Sequence, residues 1–138
     1  MIREFSTGGV MIRRFRGRPF VAVVHPREGV IALPKGHPED DEAAVEAAAR
    51  EVREEAGVEG EPVEKLGDIR YWYFRSGERV LKIVSFFLFR YRSGSVRDHD
   101  HEVESAAWIP LEDAVEILTY KGEREMAAAA LSALVRDI

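Results

Sequence analysis

The sequence predicts a single α/β domain, and three observations carry that reading. Two apolar runs rich in β-branched and aromatic residues, Phe20–His25 (FVAVVH) and Val80–Tyr91 (VLKIVSFFLFRY), have the composition of buried strands. Between them, Val45, Ala49, Val52 and Ala56 recur at the three- and four-residue spacing of a helix with one buried stripe. A chain of 138 residues is long enough to bury a substantial core as one domain, 1–138.

Taken in order, Glu4–Arg14 (EFSTGGVMIRR) reads as the first strand, with Gly8-Gly9 allowing another segment to approach its backbone. Arg16-Gly17-Arg18-Pro19 turns the chain into Phe20–His25, and Pro26–Gly29 turns it again. Val30–Leu33 then leads into Pro34-Lys35-Gly36-His37. The helix follows, with Asp40 or Asp41 suited to its N-cap and Gly57 to the position just past its end. Val63–Phe74 reads as a strand carrying an aromatic cluster, and Ser76-Gly77-Glu78 turns it into the apolar strand Val80–Tyr91. Lys82 interrupts that run; it either snorkels to an edge or reaches into an anion site. A polar loop over Ser93–Asp100 precedes a short strand, Ser105–Pro110, and two helices, Leu111–Leu118 and Gly122–Ile138.

Composition narrows the function classes. Apolar residues make up 46% and charged residues 33%, ordinary for a soluble globular chain. The net charge of −5 leaves no general footprint for nucleic acid, so no stable nucleic-acid partner is expected. Cysteine is absent, which removes disulfides and thiolate chemistry. The start, MIREFSTGG, lacks the apolar segment of a secretory leader, and no apolar run approaches a membrane span. A cytoplasmic location without membrane attachment is the expectation.

The stretch Gly36–Val58 (GHPEDDEAAVEAAAREVREEAGV) is unusual for its acids. At 100° per residue, Glu51, Glu54 and Glu55 converge on one flank of the helix. A solvated acidic face is the ordinary explanation for such a cluster. Arg50 and Arg53 answer only part of the charge, however, and crowded carboxylates are the donor set of a hard divalent cation such as magnesium.

The spacing decides between these readings. Gly36, five residues, Glu42, seven residues and then REVREEAGV match the Nudix box at nine specified positions within 23 residues. The chain therefore resembles the Nudix hydrolases, which cleave nucleoside diphosphates linked to another group. The resemblance implies an α/β/α sandwich with a mixed β-sheet and the box helix packed on it. It implies Mg2+ or Mn2+ held by Glu51, Glu54 and Glu55, with the backbone carbonyl of Lys35 as a further ligand. Arg50 resembles the residue that orients a box glutamate. Glu42 projects nearly opposite the metal flank and reads as a supporting residue at the helix start. The general base in the family is either a box glutamate, here Glu51, or one in a later loop, for which Glu102 is the first choice and Glu104 the second.

For substrate contacts, Lys35, His37, Tyr73 and Lys82 are the candidates; His37 is equally well read as a plain loop residue. The run LPKGHPE resembles the approach to the box in diadenosine polyphosphate hydrolases and in relatives acting on inositol pyrophosphates. A tyrosine beyond the box accompanies the dinucleotide subgroup, and Tyr73 lies 15 residues past Val58, slightly out of register. ADP-ribose-cleaving relatives tend to carry a proline in that region, and none occurs between Pro62 and Pro110. The expected substrate is a small nucleotide, a diadenosine polyphosphate first. ADP-ribose, a nucleoside triphosphate or an inositol pyrophosphate are the alternatives, and a non-catalytic nucleotide sensor is the alternative of a different class.

Overall fold

The computed structural model describes residues 1–136. The elements run β1 (Ile2–Phe15), β2 (Arg18–His25), β3 (Lys35–Gly36), α1 (Ala44–Ala56), β4 (Val58–Arg75), β5 (Glu78–Gly94), a 3₁₀ turn (Val96–Asp98), β6 (Ser105–Pro110), α2 (Leu111–Ile117) and α3 (Lys121–Arg136). The last helix thus follows the expected 122–138 as far as Arg136; residues 137–138 lie outside the described residues.

The strands form one mixed sheet in the order β4-β5-β1-β2-β6, with β3 beside β1. β1 runs parallel to β5 from Ile2↔Val80 to Ile12↔Arg90, and its pairings with β2 and β3 are antiparallel. β1 meets β3 at Thr7 and Gly8, but meets β2 only from Ile12 onward. Its midpoint is therefore where one neighbour gives way to another, and the box begins there.

Strand alternation sends successive β1 residues to opposite layers. Val10 and Ile12 join a core with Phe86, Leu111 and Ala127 beneath α2 and α3. Met11 joins a second core with Val52, Ala56 and Phe89 beneath α1. This is the α/β/α sandwich expected, with the box helix, among the described residues, alone on its face of the sheet. Close contact between α1 and β1 depends on the absent side chain of Gly9, where a Cβ would come 2.5 Å from Val52.

Two details depart from the sequence reading. β4 begins at Val58 instead of Val63: the polar stretch Glu59–Pro62 pairs with β5 through an irregularity at Glu59/Gly60, without the alternation that marks a strand in sequence. The strand lies at the sheet edge, where Pro62 forfeits no central ladder bond. The N-cap of α1 is Ala43, not Asp40 or Asp41. Glu46 reaches back to accept from the Ala43 amide at 3.4 Å, while Asp41 occupies a left-handed turn at φ 64. Gly57 ends the helix as expected, at φ 77.

Candidate active site

Arg50 is the hub of the box. Its guanidinium forks onto Glu42, Nε donating to Oε2 at 2.9 Å and Nη2 to Oε1 at 3.0 Å. Nη1 donates to Glu51 at 2.9 Å and to Glu54 at 3.2 Å, and Nη2 also donates to the His37 carbonyl at 2.9 Å. One planar cation thereby fixes two box glutamates, the loop before them and Glu42 together. The Arg50 fork holds the Glu42 carboxyl down at about 2. Glu42 precedes α1, so the helical projection that set it opposite the other acids does not apply: it meets Glu51 and Glu54 at the shared Arg50 guanidinium and stands there as its counter-charge.

Glu51 is buried beneath β3. A Cβ at Gly36 would come 2.2 Å from its carboxyl carbon, so the box glycine is what makes room for this acid. Burial pushes the Glu51 carboxyl above its ordinary range against the pull of Arg50, and neighbouring Glu54 and Glu102 add to the rise. Glu55 is pushed up to about 7, chiefly by burial, with further repulsion from Glu51 and Asp100. The Lys35 amide opposes that rise by donating to Glu55 Oε1 at 3.1 Å.

The segment entering the box forms a strap, residues 33–37, that crosses between the helical layers. Glu123 of α3 holds it from one side, accepting from the Leu33 amide at 2.7 Å and pairing with Lys35 Nζ at 2.9 Å. Glu55 and Arg50 hold it from the other. The His37 ring sits over β1, with Nδ1 3.1 Å from the Phe5 carbonyl. Lys35 thus points toward α3, and its ammonium also lies 5.5 Å from the Tyr120 ring.

Beside the strap, on the α3 face, opens a cleft of about 620 Å³ lined by Lys35, Ile69, Tyr71, Phe86, Tyr120 and Glu123, among others. Tyr73 and Lys82 stand on the same face one step farther along the sheet. Their polar ends converge on Glu4: the Tyr73 hydroxyl donates at 2.7 Å, Lys82 Nζ at 2.9 Å and Arg75 at 2.7 Å. Lys82 is therefore neutralised in place by its register partner across β1 and β5.

Those donors, the Tyr73 hydroxyl foremost, hold the Glu4 carboxyl at about 2 instead of 4.5. A carboxyl lowered in the folded state contributes stability above its ordinary pKa and loses it as pH falls toward the lowered one. The Glu4→Gln variant is therefore expected to lose less thermal stability than the parent as pH drops from 4.5 toward 2. Parallel acid melts of the two proteins check this; identical slopes would remove Glu4 as a source of acid sensitivity.

The loop after β5 closes the remaining side. The Asp100 amide donates to the Glu54 carbonyl at 2.8 Å, capping the last turn of α1. A Cβ at Gly57 would meet the Ser95 carbonyl at 2.2 Å, so helix end and loop touch directly. Asp100 and Glu102 are consequently close enough to raise Glu55 and Glu51 respectively. Glu104 instead donates its amide to the His25 carbonyl and is exposed.

Among the described residues, no three acidic or imidazole side chains converge closely enough to hold a metal together. Glu51 and Glu54 lean on Arg50, and Glu55 on the Lys35 amide. The donors are nonetheless of the type a hard cation takes: three carboxylates on one helix flank beside a backbone strap, two of them raised by burial. Glu123, Tyr120, Tyr71 and Asp100 enter the site without belonging to any sequence motif. Only Tyr71 had a local signal, as part of the aromatic cluster at 71–74.

A box helix alone on one face of a mixed sheet, with its acids turned to the strap before it, defines a class of domain. The sequence pattern of the NUDIX domain matches residues 3–130, and the chain belongs to that family. It is 37% identical, over 94% of its length and 55% of the other's, to the protein carrying the name mutator protein MutT4 in Mycobacterium tuberculosis. It is 31% identical, over 63% of its own length and 63% of the relative's, to the bis(5'-nucleosyl)-tetraphosphatase [asymmetrical] of Caenorhabditis elegans. The chain thus spans about half to two thirds of the length of these curated relatives. In fold it is similar to the C. elegans Ap4A hydrolase in a binary complex, with a TM-score of 0.70, 21% identity and coverage of 98% and 99% of the two chains.

Proposed function

We propose that the chain is a metal-dependent pyrophosphohydrolase whose preferred substrates are dinucleoside polyphosphates, diadenosine polyphosphates first. The observation that carries the reading is the juxtaposition of an acid flank on α1 with an aromatic-walled cleft across the strap. Glu51, Glu54, Glu55 and the Lys35 carbonyl would hold Mg2+ or Mn2+. Such a cation, when bound, neutralises charge on the phosphate chain and acidifies a water.

The chain's own residues supply the rest. Arg50 keeps Glu51 and Glu54 from splaying into solvent. Glu102 is the proposed proton acceptor for the attacking water, its charge felt at Glu51. Glu51 itself is the alternative base. Lys35 lines the cleft with its ammonium paired to Glu123, and Tyr71 and Tyr120 present rings at its walls for a base to stack on. His37 ends the strap with its ring held over β1, while Tyr73 and Lys82 act on substrate only through displacement of Glu4.

A magnesium-dependent release assay over diadenosine polyphosphates, ADP-ribose, normal and oxidised nucleoside triphosphates and inositol pyrophosphates tests this. Fastest turnover is expected on a diadenosine polyphosphate. Tyr71→Ala and Tyr120→Ala are each expected to raise KM for it roughly 10-fold with kcat nearly unchanged, the worth of one stacked base. A 32% identity to the 8-oxo-(d)GTP phosphatase of Mycolicibacterium smegmatis supports a second reading, hydrolysis of an oxidised nucleoside triphosphate. Preferential release of pyrophosphate from a mononucleotide would favour it. Nucleotide binding without turnover on any substrate, with Mg2+ or Mn2+, would make the chain a sensor.

A further inference from the structure

Glu123 lies 88 residues from Lys35 in sequence, outside the box, yet it is the most buried carboxylate beside the strap, 3% exposed on the first turn of α3. A carboxylate at that depth is stable only if both oxygens are answered. Oε1 takes the Leu33 amide at 2.7 Å and Oε2 takes Lys35 Nζ at 2.9 Å. The strap is then anchored at alternate residues: Leu33 by Glu123, the Lys35 amide by Glu55, and the His37 carbonyl by Arg50. Two anchors come from α1 and one from the opposite helical layer. Without the third, the Leu33 amide would be a buried donor with no acceptor, and the Lys35 side chain would lose its only ion-pair partner among the described residues.

We infer that Glu123 is a positioning residue: from α3 it fixes the backbone at Leu33 and ties down the Lys35 side chain, so that the carbonyl of Lys35 is presented to the acid flank of α1. This rests on the metal-dependent reading above. It also assigns α3 a role in cation binding that its distance from the box in sequence conceals. Glu123 makes no contact with the box carboxylates in doing so; it acts through the strap alone.

The test compares Glu123→Ala, which removes both contacts, with Glu123→Gln, whose amide oxygen still accepts from Leu33. Mn2+ binding to the substrate-free protein is read by electron paramagnetic resonance, and Leu33 amide exchange by NMR. In Glu123→Ala the Mn2+ dissociation constant is expected to rise roughly 10-fold or more, with faster Leu33 exchange. Glu123→Gln is expected to stay within about 2-fold of the parent in affinity, well short of that loss, and to keep Leu33 protected. Should Glu123→Ala fold poorly, Glu123→Asp replaces it, being one methylene too short to span both partners and carrying the same expected loss. Parental Mn2+ affinity in the Ala or Asp variant, or equal losses in Gln and Ala, would overturn the inference. A parent protein that takes up no Mn2+ would instead overturn the hydrolase reading, and Leu33 exchange would still decide whether Glu123 anchors the strap.

Discussion

Glu51→Gln is expected to slow pyrophosphate hydrolysis by roughly 10³-fold or more while leaving the fold intact. The two expectations come from the same fact. Glu51 is buried, with a carboxyl raised above its ordinary range, so the folded chain carries its charge at a cost. Glutamine fills the same space and still accepts from Arg50, so the thermal midpoint of the metal-free variant should equal or exceed the parent's. What it cannot do is present a full negative charge to a cation or take a proton from water. Paired measurements of turnover and melting decide the matter; near-parental turnover would remove Glu51 from the chemistry.

Gly36→Ala should be almost as damaging to activity, by a different route. The methyl group would come 2.2–2.4 Å from the carboxyl atoms of Glu51, so the acid must leave its place. The backbone there is not left-handed, so alanine suffers no conformational penalty and the effect is purely steric. A stability loss of about 1–3 kcal/mol is expected from overpacking, together with loss of most activity. Truncating Glu51 should open the space again, so Gly36→Ala in a Glu51→Ala background should cost little. Chemical denaturation of the four proteins in that cycle measures the coupling. Additive losses would show that glycine is present for some reason other than Glu51.

The box was legible because its chemistry is local. Residues three and four apart on one helix must share a flank, so Glu51, Glu54 and Glu55 are placed together by the helical period alone, with Arg50 beside them. The apolar runs of β2 and β5 likewise announce a sheet covered on both faces. The contacts that complete the site are of another kind. Glu123 with Lys35, Asp100 with Glu54 and Glu4 with Lys82 join segments 88, 46 and 78 residues apart. An isolated acid in the first turn of a helix, such as Glu123, has the appearance of favourable dipole placement and nothing more. Even Lys82, whose presence in an apolar strand was conspicuous, gave no clue that Glu4 would be its partner until the parallel register of β1 and β5 was known. The cap of α1 misled for a related reason: two aspartates with the right chemistry stand ahead of the helix, but the chain bends at Asp41 and caps the helix two residues later, at Ala43.

The bond between the Asp100 amide and the Glu54 carbonyl has a mechanical consequence. It joins the segment bearing Glu102 to the final turn of the helix bearing the other acids, and the contact at Gly57 removes slack from the same joint. Thermal drift of either piece is then carried by both, as with two jaws cut from one bar. Glu102, the proposed proton acceptor, is thereby tied to the same joint as the box acids it would serve.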